Sequence, residues 1–107
     1  MARGWLFASG QIPIDPSTAK LVEGDIETQT EQAIRNLSAV LEAGGSSLSR
    51  VVRATGYLTD LSLFPRVNSV YGKHFSSEPP PARATVGVAS LPLGAAVEID
   101  AIALTEV

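Results

Sequence analysis

The sequence predicts an α+β domain, one sheet with two helices packed on a single face. Three observations carry this expectation. Ile26, Thr30, Ala33, Ile34, Leu37, Val40 and Leu41 recur at spacings of three and four, which lays one apolar stripe along a helix. Phe64, Val67, Tyr71 and Phe75 repeat the pattern further on. The segments Arg50–Thr59, Arg83–Ala89 and Ala95–Leu104 instead alternate and favour β-branched residues, as half-buried strands do. The expected order is β, α, β, α, β, β in a two-layer arrangement.

Taken in order, Trp5-Leu-Phe-Ala8 reads as a short strand ended by Ser9-Gly10. Pro13, Pro16 and the run Asp15-Pro16-Ser17-Thr18 have turn chemistry. Asp25 can accept from the first free N–H groups of the helix that follows, and Gly44-Gly45 ends it. Ser62 is the expected cap of the second helix, with Pro65 tolerated in its first turn. Ser76-Ser77-Glu78-Pro79-Pro80-Pro81 forms a stiff extended connection. The last two strands are expected to join through Leu91-Pro92-Leu93-Gly94 as a hairpin. With no repeat and no linker, residues 1–107 read as a single domain.

The last strand separates two faces. Val97, Ile99, Ala101 and Ala103 suit packing beneath helices, while Glu98, Asp100, Ile102 and Leu104 point the other way. A face meeting only water would not need Ile102 and Leu104 beside two carboxylates, so a second subunit is expected to cover it.

Composition narrows the chemistry. The 107 residues are 45% hydrophobic and 18% charged, enough to bury a core. The absence of cysteine removes disulfides, thiolate nucleophiles and sulfur-ligated metals, and the single histidine, His74, leaves no paired-histidine site. No metal and no cofactor are expected. Net charge is −3 and the eight basic residues are scattered singly, so no nucleic-acid partner is expected. No apolar run approaches the ~20 residues of a membrane span. The expected location is the cytoplasm, with the mitochondrion as the alternative.

Nucleophilic catalysis would rest wholly on His74, on a helix beside Phe75, where a histidine is more often a surface or half-buried residue. The better set is Arg83 with Glu98, placed by this reading on adjacent final strands. An arginine fork can hold a carboxylate through two parallel hydrogen bonds, and a glutamate can orient or deprotonate a water. A plain cross-strand ion pair fits the same two residues, and pattern alone leaves both accounts open.

Five blocks then stand together: Ser9-Gly10-Gln11-Ile12-Pro13, Gly56-Tyr57-Leu58-Thr59-Asp60-Leu61, Val67-Asn68-Ser69-Val70-Tyr71, Pro81-Ala82-Arg83-Ala84-Thr85-Val86, and Leu91 to Ala101. In order and spacing the chain resembles the YjgF/YER057c/UK114 (RidA) family from about Trp5 to Leu104. The resemblance implies a chorismate-mutase-like fold assembled as a homotrimer, with sites in clefts between subunits. It implies an enamine/imine deaminase that hydrolyses 2-imino acids, 2-iminopropanoate or 2-iminobutanoate, to 2-keto acids and ammonia. It assigns Arg83 to the substrate carboxylate and Glu98 to the attacking water. Ser9, Gly10 and Asn68 would line the cleft, with Thr85 two positions after the arginine. Tyr71 and Phe75 are read as core, and Asp100 as an interface or solvated carboxylate.

One departure concerns the start. Family members usually carry an N-terminal segment, with a tyrosine of the pocket, before the strand equivalent to Trp5–Ala8. The expectation is that this segment is missing, so that either the start is late or the cleft is more open. The alternatives to a deaminase are a non-catalytic trimer that binds small carboxylates or regulates, and, further off, a ribonuclease or translation inhibitor.

Overall fold

The computed structural model describes residues 4–105. The first helix, α1 (Ile26–Ala43), begins where Asp25 accepts from the Thr28 N–H at 2.9 Å. It ends at Gly44, followed by Gly45 at φ +87°, the left-handed conformation that glycine tolerates. The spacing of its apolar residues is reproduced by burial: Ile26, Thr30, Ala33, Ile34, Leu37 and Leu41 are buried. Thr30 is accommodated there because its hydroxyl donates to the Ile26 carbonyl at 2.7 Å. Val40 departs from the expectation; it lies at the margin of the stripe and is exposed.

The main sheet contains β1 (Trp5–Gln11), β4 (Val51–Leu58), β5 (Ala82–Gly87) and β6 (Val97–Leu104), in the order β1-β6-β4-β5. The second helix, α2 (Phe64–His74), links β4 to β5, which run parallel. Parallel neighbours need such a crossover. β6 returns antiparallel between β4 and β1. The expected final hairpin is therefore corrected: β5 and β6 are not neighbours, and β4 runs between them. Leu91-Pro92-Leu93-Gly94 is a tight 3-10 turn with Leu93 at φ +58° and Gly94 at φ +75°, within a longer connection.

Two smaller expectations also change, and a third, the turn at Asp15–Thr18, is found within a larger feature. Ser9-Gly10 do not end the first strand. They form a bulge, since Ala8 pairs with Ala101 and Gln11 with Ile99, leaving two residues opposite Asp100. The turn after it is a small hairpin, β2 (Ile14–Asp15) with β3 (Lys20–Leu21), in which the Asp15 carboxylate accepts from the Ser17 N–H at 2.9 Å. Ser62 does not cap α2. Asp60 accepts from the Ser62 N–H at 3.0 Å and so starts a 3-10 turn, while Leu63, the residue before α2, makes no side-chain cap.

Core residues come from one face of the sheet and both helices. Val97, Ile99, Ala101 and Ala103 of β6 and Ala54 and Leu58 of β4 meet Ile34, Leu37 and Leu41 of α1 and Val67 and Val70 of α2. Two polar bridges tie the helices together. The Arg66 fork donates to Glu27 at 2.9 and 2.6 Å, and His74 Nε2 lies 2.8 Å from Glu31 Oε1. The opposite sheet face has no helix, and it exposes Trp5, Phe7, Val86 and Leu104, with Phe7 61% exposed. Among the described residues no helix is long and apolar enough to cross a membrane.

Candidate functional site

Arg83 is the second residue of β5 and registers with Ala54, which is fully buried under the helices. Strand alternation therefore turns the Arg83 side chain towards α2. On α2, Phe64, Asn68 and Tyr71 follow one another at spacings of four and three, so they share one helix face. The guanidinium carbon lies 4.3 Å from the Tyr71 ring centre and 5.2 Å from that of Phe64. Nη1 donates to Asn68 Oδ1 at 2.5 Å. Tyr71 in turn stacks on Phe75, with ring centres 4.3 Å apart and planes 17° from parallel.

Thr85 faces the same way and registers with Gly56. The space enclosed below Arg83, between Tyr71, Val67, Val97 and Ile99, is about 10 Å³, room for one water at most. Outside it, Leu61, Phe64, Arg83 and Thr85 form an open depression at the edge strand. Burial pushes the Tyr71 phenol above its ordinary value, against the opposing field of Arg83. Tyr71 packs against the core, as expected, and in addition lies beneath the Arg83 guanidinium. A polar residue, Asn68, interrupting an apolar stripe between Phe64 and Tyr71 was the signal that could have found it.

Glu98 lies elsewhere. It registers with Tyr57 on the sheet face that the helices leave open. Gly10 of the β1 bulge packs against it so closely that a Cβ there would fall 1.7 Å from Glu98 Oε2. Ser9, the other residue of the bulge, is exposed. The Tyr57 hydroxyl reaches diagonally to Asp100, donating to its Oδ2 at 2.9 Å, and this bond raises the Tyr57 pKa. The structure thus makes two groups of the expected site residues: Arg83, Asn68 and Thr85 beneath α2, and Glu98, Gly10 and Ser9 at the open face. The cross-strand pair of Arg83 with Glu98 is not formed, because β4 separates their strands and they face opposite ways. His74 belongs to neither group, being engaged with Glu31 between the helices. Among the described residues no three histidines or carboxylates gather as a metal-binding cluster.

A mixed sheet covered by two helices on one side places the chain in the chorismate-mutase-like α+β class. Residues 1–105 match the family model described as Endoribonuclease L-PSP, and the chain belongs to that family, the YjgF/Rid family. It is 57% identical over 99 residues to protein DfrA of Myxococcus xanthus, covering 92% of this chain and 75% of that one. The structure of the Rid-family protein YyfA of Yersinia pestis superposes with a TM-score of 0.94 at 45% identity, covering 98% of this chain and 83% of that one. The structure of E. coli TdcF with bound serine gives a TM-score of 0.91 at 33% identity, covering 99% and 84% of the two chains.

Proposed function

We propose that the protein is an enamine/imine deaminase that hydrolyses 2-imino acids such as 2-iminopropanoate and 2-iminobutanoate to 2-keto acids and ammonia, in sites shared between the subunits of a homotrimer. The observation that carries this reading is Arg83. Its guanidinium is held by Tyr71, Phe64 and Asn68, yet no carboxylate pairs with it among the described residues. A cation fixed in this way, at the mouth of a shallow depression, is suited to a small anion. The serine bound to E. coli TdcF is a small carboxylate of that kind.

Glu98 supplies the second function. With the substrate carboxylate on Arg83, the imine carbon is presented to a water, and Glu98 takes a proton from that water as its oxygen bonds to carbon. Glu98 passes that proton to the imine nitrogen, which gives the carbinolamine; its hydroxyl proton then follows the same way to nitrogen as the C–N bond breaks and C=O forms, releasing the keto acid and ammonia. Water and imine are consumed and keto acid and ammonia formed, so no redox centre enters. Because Arg83 and Glu98 face opposite ways in one chain, the apolar open face is the natural place for a second copy to bring its own Arg83 to this Glu98.

The ribonuclease reading that the family description carries is supported less. Phosphate binding draws on free cations. Here the eight lysines and arginines are scattered singly and form no stripe, and Arg66 is tied to Glu27, Arg35 to Glu31, and Arg50 to the carbonyls of Leu104 and Thr105.

The test generates 2-iminobutanoate with a threonine dehydratase in the presence of semicarbazide as a competing trap. The protein should accelerate release of ammonia, and Arg83→Ala should abolish this while remaining folded. Full activity in that variant overturns the proposal. Binding of 2-oxobutanoate without acceleration favours the non-catalytic carboxylate-binding trimer instead.

A further inference from the structure

We infer that Tyr71 is a positioning residue of the substrate clamp, and that Asn68 orients Arg83 rather than touching substrate, so that the carboxylate is received side-on by Arg83 Nε and Nη2. This deepens the proposed deaminase reading and rests on it.

A guanidinium on a three-carbon stem has two orientations to be fixed before it can act as a fork: the tilt of its plane and the rotation within that plane. The Tyr71 ring, its centre 4.3 Å from the guanidinium carbon above it, limits the tilt, since a cation is drawn to the ring face. The ring cannot yield easily. It rests on Phe75, which is buried, and α2 is tied to α1 by the Arg66–Glu27 and His74–Glu31 bridges. The Nη1 bond to Asn68 sets the in-plane rotation. With Nη1 so occupied, Nε and Nη2 form the edge that donates to no other group among the described residues.

That edge is the one Arg66 uses in the same molecule. It meets Glu27 with Nε at 2.9 Å from Oε2 and Nη2 at 2.6 Å from Oε1, a side-on bidentate carboxylate. Arg83 is Arg66 with its partner left out and an aromatic shelf put beneath it. Phe64 contributes less, its ring lying farther off at 5.2 Å.

The experiment compares wild type, Tyr71→Phe and Tyr71→Leu by two readouts. The first is steady-state hydrolysis of 2-iminobutanoate together with titration by 2-oxobutanoate. Loss of the shelf should raise KM and the 2-oxobutanoate Kd about tenfold in Tyr71→Leu, with kcat little changed and Tyr71→Phe close to wild type. The second is the Arg83 Nε–H signal in a 1H–15N spectrum, which needs no turnover. It should be ordered and ring-current shifted in wild type and Tyr71→Phe, and averaged in Tyr71→Leu. A Tyr71→Leu protein that keeps both the signal and the affinity overturns the inference. A wild type that does not accelerate imine hydrolysis overturns the deaminase reading instead, and the Nε–H signal still decides the role of Tyr71.

Discussion

Arg83 and Glu98 stand on opposite faces of one sheet, two strands apart. Arg83 registers with buried Ala54 beneath α2, and Glu98 registers with Tyr57 on the face without helices. No rotamer change brings the two side chains together through the intervening strand. A reaction that needs both must draw them from different copies of the chain, and the remaining consequences follow from that geometry.

Complementation reads this directly. Arg83→Ala and Glu98→Ala should each be inactive alone. Mixed and reassembled at equal amounts, they should recover roughly a quarter of wild-type activity, because an intact site needs one variant on each side of the interface. A site built within one chain would recover nothing.

Gly10 makes a second case. The Cβ of Gly10→Ala would lie 1.7 Å from Glu98 Oε2, and the flexible end of Glu98 is the part that must move. The variant should fold with nearly unchanged thermal stability and still bind 2-oxobutanoate. Its kcat should fall about a hundredfold, the scale of a lost general base. Unchanged kcat would remove Glu98 from the proposed chemistry.

The uncovered face offers a test of assembly. Phe7 is 61% exposed on β1 and shares that face with Trp5, Leu104 and Val86. Phe7→Asp sets a charge in the proposed interface and touches no helix contact. Light scattering should show the protein shifting from trimer to monomer while its circular dichroism is retained. A wild type that is monomeric at micromolar concentration would refute the shared site.

Low pH should loosen the contact between the helices. The hydrogen bonds from Arg66 hold the Glu27 carboxyl below its ordinary value, and those from His74 and then Arg35 do the same for Glu31. Folding lowers both pKa values, so their stabilisation is present above the ordinary value of 4.5 and is lost as pH falls through the folded values. Both pairs are exposed enough for salt to screen them, and the effect is small. The Tm of wild type should exceed that of a Glu27→Gln, Glu31→Gln double variant at pH 7, and the two curves should converge as pH falls below 4.5 through the folded values. Parallel curves would show that these bridges contribute nothing.

Much of this was legible in the chain. Helix α1 follows from Asp25, the stripe from Ile26 to Leu41 and the closing glycines, because capping and burial of one helix face act over a few residues. The two faces of β6 were equally plain, since alternation assigns Val97 and Glu98 to opposite sides whatever the neighbouring strand. The blocks around Arg83 and Glu98 were visible as well, and so was the uncovered, partly apolar face.

Strand order was not. Two strands separated by Leu91-Pro92-Leu93-Gly94 look like a hairpin when only the turn is read, and here β4 inserts between them. Local alternation gives each strand two faces, but it does not say which strand lies alongside, or which of its faces the helices cover. Hydrogen-bond pairing and burial of the whole core decide that, through contacts between residues far apart in the chain. They turn Arg83 inward onto Tyr71 and Glu98 outward onto Gly10, and so part an apparent ion pair onto opposite faces of the sheet.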